Sequence, residues 1–175
     1  MTFNHDNILS MLEYKREEAF KMLVPRYGEA LYWHIRRLVV SHADAQDVVQ
    51  EVWIRVYRSI GSLDRQASLE AWLYKIATNE ALRQLDRKPL TVEPLVSGMD
   101  VEVDEYIDYS DLEAVKLQRA ILTLPQKQQL VFNLRYYDDM DYERIAEIMS
   151  STVDRVKANY YLAKKKIISY ITDKD

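Results

Sequence analysis

Arg155 and Asn159 stand one helical turn apart in a segment that also carries Lys157, Lys164, Lys165 and Lys166. A guanidinium presented to a base edge can bond guanine through two N–H groups, and a carboxamide can do the same to adenine. Ammonium groups need no such geometry and serve as point charges for phosphates. The segment, Val153 to about Ile171, has the 3.6-residue period of a helix. Val156, Tyr160, Ala163, Ile167 and Ile171 fall in one narrow arc at about 100° per residue. The opposite arc holds Asp154, Ala158, Tyr161, Leu162 and Lys165. Leu162 is out of place on a solvated arc, and contact with a thymine methyl group would account for it. A bundle helix with a basic solvated face would carry the same charges, so the neighbouring elements have to discriminate.

Those neighbours have the layout of a helix-turn-helix. A short helix, Tyr142 to Met149, is capped by Asp141 and broken by Ser150, Ser151 and Thr152, after which the basic helix begins. In such a pair the second helix enters the major groove and its N-terminal residues meet the bases. Upstream, the pattern predicts a helix over Leu112 to Leu124, stopped by Pro125, and another over Gln126 to Tyr136 with Leu130, Val131 and Leu134 inward. Asp138, Asp139 and Asp141 sit at a turn and suit capping better than metal binding.

The first half of the chain predicts three more helices. Phe20, Leu23, Tyr27, Leu31, Ile35 and Leu38 recur at spacings of three and four from about Glu13 to Val40, with a kink expected at Pro25. Asp44 reads as the N-cap of a second helix, Ala45 to Ile60. Val48, Val49, Val52, Val56 and Ile60 form its buried stripe, and Asp47, Glu51, Arg55 and Arg58 lie on another face. After a loop, Gly61 to Ser68, a third helix runs from Leu69 to about Arg87 on Leu69, Trp72, Leu73, Ile76, Ala77, Leu82 and Leu85. With three Gly and four Pro in 175 residues, breakers are scarce and the fold class is all-α.

The net charge of −4, taken as a total, argues against a nucleic-acid partner, but its distribution does not. Residues 89–113 carry eight acidic side chains and no basic one, whereas residues 150–175 carry six basic and three acidic. The acidic stretch also contains two prolines and a glycine. The chain therefore divides into a helical domain at 1–88, an acidic linker at 89–111 and a helix-turn-helix domain at 112–175. Val101, Val103, Tyr106, Ile107 and Tyr109 are interleaved with the acids, so the linker reads either as a solvated spacer or as a segment that docks. There is no cysteine, which excludes a disulfide framework, thiolate metal sites and a cysteine nucleophile. No apolar run is long enough to span a bilayer, and the first residues lack the pattern of a signal peptide. His5, His34 and His42 are scattered, and no HExxH, phosphate loop or GxSxG occurs. No enzyme and no cofactor are expected.

Three stretches together resemble the extracytoplasmic-function sigma factors, the small subunits that give bacterial RNA polymerase promoter specificity. DAQDVVQEVWIRVYRSI is similar to their polymerase-clamp helix, and ASLEAWLYKIATNEALRQLDRK to their promoter-melting and −10 helix. LPQKQQLVFNLRYYDDMDYERIAEIMSSTVDRVKANYYLAKKKI is similar to their −35-reading domain. The resemblance covers about residues 16–88 and 112–170. It implies that Asp47, Gln50 and Glu51 contact core polymerase, although Glu51 and Arg55 could instead form an exposed i,i+4 ion pair. It places the unwound −10 strand beside Trp72, Lys75, Asn79 and Arg83, where aromatic and cationic groups suit single-stranded DNA, with Trp72 equally suited to core packing. The loop containing Asp64 and Arg65 corresponds to the one that holds a flipped base. Arg155, Lys157, Ala158, Asn159, Tyr161, Leu162, Lys164 and Lys165 become the −35 contacts. A bacterial cytoplasmic location and an anti-sigma partner, often membrane-bound, are implied as well.

This sequence departs from the family pattern in several places. Ser150 and Ser151 stand where glycine is usual, Asp154-Arg155 where Gly-Thr is frequent, Asn159 and Leu162 where arginines are frequent, and Asp86 where Arg is frequent. Fewer phosphate contacts predict weaker unaided DNA binding. The competing reading is a free-standing helix-turn-helix regulator with an N-terminal sensing domain, which would not need the first two stretches.

Overall fold

In a computed structural model, residues 8, 10, 11, 14–64, 67–90 and 111–173 are described. They fold into helices, with no strand among them, in two compact units, Met1–Leu90 and Thr91–Asp175. No helix among the described residues is long and apolar enough to cross a membrane, and no cluster of His, Asp or Glu there could hold a metal ion.

The first unit contains α1 (Arg16–Val39), α2 (His42–Ser59) and α3 (Leu69–Arg87), each packed on the other two. The expected stripes meet at the centre: Leu23, Leu31, Ile35 and Leu38 of α1, Val48, Val52 and Val56 of α2, and Leu69, Leu73 and Ala77 of α3 are buried, together with Ile60. Tyr27 and Val49 are half-buried at the margin. Helix α1 begins at Arg16, and Glu13 lies outside the described residues. Pro25 does not end α1; it sits on the exposed side, where water can satisfy the carbonyl that its missing N–H would have bonded. His34 is buried in α1, with Nε2 2.8 Å from Thr78 Oγ1 on α3.

The start of α2 differs from the sequence expectation. Ser41, not Asp44, is the N-cap, and its Oγ accepts from the Asp44 N–H. The carboxylate of Asp44 instead reaches the far end of α3, accepting from Gln84 Nε2 (3.1 Å) and Lys88 Nζ (3.0 Å). Its charge still lies in the first turn of α2, and Lys88 caps the C-terminal end of α3, so both helix dipoles are complemented by one ion pair. A turn centred on Val40 (φ 64°) joins α1 to α2, with Ser41 N–H donating to Val39 C=O at 2.7 Å. Positive φ is costly for a β-branched residue. Helix α3 starts where predicted, with Ser68 Oγ accepting from Ala71 N–H.

The second unit contains α4 (Leu112–Leu122), α5 (Gln126–Tyr136), α6 (Tyr142–Met149) and α7 (Val153–Thr172). Helix α4 ends two residues before the expected Leu124, whose side chain is nevertheless buried. Helix α7 packs on α4, α5 and α6. Ala120, Ile121, Leu124, Phe132, Ala163 and Ile167 form one apolar cluster, and Ile145, Ile148 and Val156 bury the α6–α7 corner. Helix α5 is buried well beyond its predicted inward set, with Gln129, Phe132 and Asn133 also inside.

Candidate functional site

Three surfaces carry the residues singled out from the sequence, two on the first unit and one on the second. The first lies where α2 meets α3. Asp47, Gln50, Glu51 and Ile54 from α2 and Gln84 and Arg87 from α3 line a shallow groove of about 320 Å³. Asp47, Gln50 and Glu51 are exposed, and no described residue bonds to their side chains. Ile54, one turn beyond Gln50 on the same helix, is 45% exposed.

The anticipated alternative for Glu51, an ion pair with Arg55, is not formed. Arg55 Nε instead pairs with Oε1 of Glu80 on α3, and Arg83 Nη1 reaches the same oxygen at 2.9 Å. Glu80 is nine-tenths buried, and two guanidiniums neutralise it at the floor of the groove. Sequence reasoning missed this carboxylate. Glu80 and Arg83 are visible as an i,i+3 pair, but nothing local joins either to Arg55.

The second surface is one face of α3. Trp72, Lys75, Asn79 and Arg83 recur every three or four residues and so share a stripe. Lys75 and Asn79 are exposed, and Trp72 is half-buried. Arg83 holds Glu80 while keeping about half of its side chain in solvent. Asp64 is exposed in the preceding loop, and Arg65 lies outside the described residues.

The third surface is α7 and the corner that holds it. Asp141 caps α6, accepting from Arg144 N–H at 2.7 Å. The turn is made by Ser150 in the left-handed region (φ 49°, ψ 48°), with Ser151 N–H donating to Ala146 C=O. Glycine is the usual residue for such a C-cap because it has no Cβ to collide. Thr152 then caps α7 by accepting from Arg155 N–H.

On α7, Val156, Ala163 and Ile167 are buried. Arg155, Lys157, Ala158, Tyr161, Leu162, Lys164 and Lys165 are exposed. Two cations are held by rings: Lys157 Nζ lies 5.7 Å from the centre of Tyr142, whose ring also meets Arg135 at 5.4 Å, and Lys164 Nζ lies 5.1 Å from Tyr160. The Tyr142 ring thus sets the direction of Lys157. Burial pushes the Tyr160 phenol up, Tyr142 beside it adds to the shift, and Arg135 opposes it. Asn159 is half-buried, and its Nδ2 donates to Arg155 C=O at 2.8 Å, so its amide is bonded to its own helix.

A rigid, cation-edged helix set by a tight corner is suited to seating in an anionic groove, and an exposed polar groove on a three-helix unit is suited to protein docking. The comparisons with known proteins agree with this division. The Sigma-70 region 2 family matches residues 23–89, and the Sigma-70 region 4 family matches residues 114–167. The chain is 31% identical over 164 residues to the ECF RNA polymerase sigma-E factor of Escherichia coli K12, covering 86% of this chain and 85% of that protein. It is 28% identical over 170 residues to the ECF RNA polymerase sigma factor SigW of Bacillus subtilis, covering 90% and 91%. Among solved structures, CnrH in complex with the cytosolic domain of CnrY has a TM-score of 0.75 at 22% identity over 98% of both chains. The sigma factor RpoE in complex with the anti-sigma factor NepR, from Bartonella quintana, has a TM-score of 0.68 at 20% identity over 87% of this chain and 96% of that one. The two structures share the fold, and the family matches with the sigma-E relative decide the membership: the chain belongs to the extracytoplasmic-function RNA polymerase sigma factors of the sigma-70 family, which direct promoter-specific transcription initiation.

Proposed function

We propose that residues 1–88 dock on core RNA polymerase and capture the −10 strand, that residues 112–175 read the −35 element as duplex, and that residues 89–111 link the two. The observation that carries the polymerase assignment is the α2–α3 groove, where Asp47, Gln50 and Glu51 are exposed without a partner among the described residues. Arg55, the obvious intramolecular partner for Glu51, is taken by Glu80. The −10 contacts are Trp72, Lys75, Asn79 and Arg83 on one stripe of α3, with Asp64 and Arg65 in the loop before it. The −35 contacts are Arg155, Lys157, Ala158, Asn159, Tyr161, Leu162, Lys164 and Lys165. One N–H of the Asn159 amide is held by the Arg155 carbonyl, which leaves its other N–H and its Oδ1 for a base.

Opening of the duplex then follows from binding. Polymerase docking and −35 contacts hold the upstream DNA, and the α3 stripe offers stacking and charge to the non-template strand only once its bases are unstacked. The chain supplies recognition and leaves catalysis to the polymerase, so it needs no cofactor. Both structural neighbours were solved with a bound partner, CnrY and the anti-sigma factor NepR. An anti-sigma partner is accordingly assigned to this chain, and the bacterial cytoplasm, where polymerase and promoters meet, is its place of action.

The test is run-off transcription from a promoter library with purified core polymerase, using wild type and the double variant Gln50→Ala/Glu51→Ala. Wild type should start transcription at discrete sites, and the variant should not. A wild-type chain that binds DNA yet never redirects core polymerase would replace this reading with a free-standing regulator.

A further inference from the structure

We infer that α7 selects thymine, and more generally a pyrimidine 5-methyl group, through an apolar ridge made by Ala158, Tyr161 and Leu162. The inference rests on the assignment of α7 as the helix that enters duplex DNA, and it names the chemistry read there.

The three residues follow one another at i, i+3 and i+4, so they lie on one arc of the helix. All are exposed, Tyr161 by 64% and Leu162 by 42%, and none belongs to the buried stripe of Val156, Ala163 and Ile167. They therefore contribute little to the stability of the unit, and water gains nothing from wetting them. At about 100° per residue, Asp154 and Lys165 share this arc, one turn before Ala158 and just beyond Leu162, while four cations flank it, Lys157 and Lys164 on one side and Arg155 and Lys166 on the other. All four cations are exposed.

An apolar ridge between two cationic rows has the cross-section of one kind of groove. The walls of the DNA major groove are rows of phosphates, and its width of about 12 Å admits one helix with its side chains. On its floor the thymine methyl is the one methyl group that an unmodified base pair displays, beside donors, acceptors and the C5–H of cytosine. Lys157 and Lys164 face one wall and Lys166 the other, the ridge faces the floor, and Arg155 stands at the edge of the ridge near the N-terminal end. Charge complementarity on both flanks is what commits the ridge to duplex DNA over an apolar protein surface, which would leave four cations to be desolvated.

Hydrogen-bond readout at the same positions is weak. Ala158 and Leu162 have no side-chain donor or acceptor, and Asn159, half-buried and off the ridge, has one amide N–H held by Arg155 C=O. Arg155 remains the one side chain near the start of α7 placed to donate two hydrogen bonds to a guanine. Specificity then divides along the helix, with guanine met at its N-terminal end and methyl groups met one to two turns later. Two consequences follow. Thymine should be distinguished from uracil, which differs by the methyl alone. A 5-methylcytosine should be preferred to cytosine at the same position.

The experiment uses the full chain assembled with core polymerase. The preferred upstream duplex is first selected from a randomised library, and each thymine in it is then replaced in turn by deoxyuridine, with affinity read by competition. At one or two adjacent positions the affinity should fall about fourfold per methyl removed. In Leu162→Ala that difference should shrink or vanish; because Leu162 is exposed, the variant should melt with the wild type. At a sensitive position, a 5-methylcytosine·guanine pair should bind more tightly than cytosine·guanine. If every deoxyuridine duplex binds as tightly as its thymine parent, or the sensitivity survives in both Leu162→Ala and Tyr161→Ala, the methyl reading is overturned while the −35 assignment stands. If no upstream duplex is selected at all, the assignment of α7 itself fails, and the methyl reading with it.

Discussion

The Glu80 lock at the floor of the α2–α3 groove offers a quantitative test of how that groove is held. Changing Glu80→Gln preserves the side-chain shape and one acceptor oxygen but removes the charge shared by Arg55 and Arg83. Hydrogen bonds to charged groups contribute about 1.5–3 kcal/mol, against about 0.5–1.5 for neutral ones. Two such bonds would place the loss at roughly 2–3 kcal/mol. Both arginine side chains are 49% exposed, however. Water therefore recovers part of what each loses, which brings the expectation to about 1–2 kcal/mol. For a unit of this size, that lowers the melting temperature by roughly 5–15 °C. The assay is selective, because the three tryptophans are Trp33, Trp53 and Trp72, all in the first unit, so their fluorescence reports its unfolding alone. A double-mutant cycle with Arg55→Met isolates the pair and should give a coupling of about 1 kcal/mol. Additive single variants, or a Glu80→Gln chain that melts with the wild type, would refute the claim that this buried carboxylate ties α2 to α3. The same variant should also weaken core-polymerase binding, since the groove walls are the two helices it joins.

Three further outcomes are expected. Ser150→Gly should stabilise the second unit by about 0.5–1 kcal/mol, because it removes the Cβ from a residue at φ 49°; a lower denaturation midpoint by circular dichroism would count against that account of the turn. Lys164→Ala should weaken binding to all upstream duplexes alike and reduce the salt slope by about one, whereas Arg155→Ala should cost about 1–3 kcal/mol at one base pair and relax selectivity there; equal effects of the two would undo the division between phosphate and base contacts. The Tyr160 phenol is held above its ordinary value of 10.0 in the folded chain, chiefly by burial. The unfolded chain therefore releases that proton first, and the stability contributed below pH 10 is lost as pH rises through the folded value. Tyr160→Phe should flatten this alkaline decline, and an unchanged pH profile would show that the shift is not felt by folding.

Helical periodicity, breakers and caps make most of the fold legible in the sequence. Pro125, Asp141 and the Ser150–Thr152 break delimit α5, α6 and the start of α7 because each acts on the backbone next to it. The same logic identified the exposed arc of α7. The 3.6-residue period alone decides which of Arg155, Ala158, Tyr161, Leu162 and Lys165 share a side, and the buried stripe decides which side is left for DNA. The family could be read for a related reason: docking on polymerase and DNA is done by surface residues at helical spacing, and their order survives in the chain.

What the sequence could not decide were choices between two locally equivalent partners. Ser41 and Asp44 are both good N-caps, and only the arrival of Gln84 and Lys88 from forty residues away draws the Asp44 carboxylate off the helix end. Glu51 stands one turn from Arg55, yet the buried Glu80 takes it, because a guanidinium gains more from a carboxylate shielded from water than from one on an open face. Asn159 could point to solvent or bond its own helix, and Lys157 could extend freely, until the packing of α6 on α7 brings Tyr142 beneath the ammonium. Local spacing sets what each side chain can reach along its own helix. Tertiary packing removes water from some of those partners and brings distant ones into range, and that competition is settled only in the folded chain.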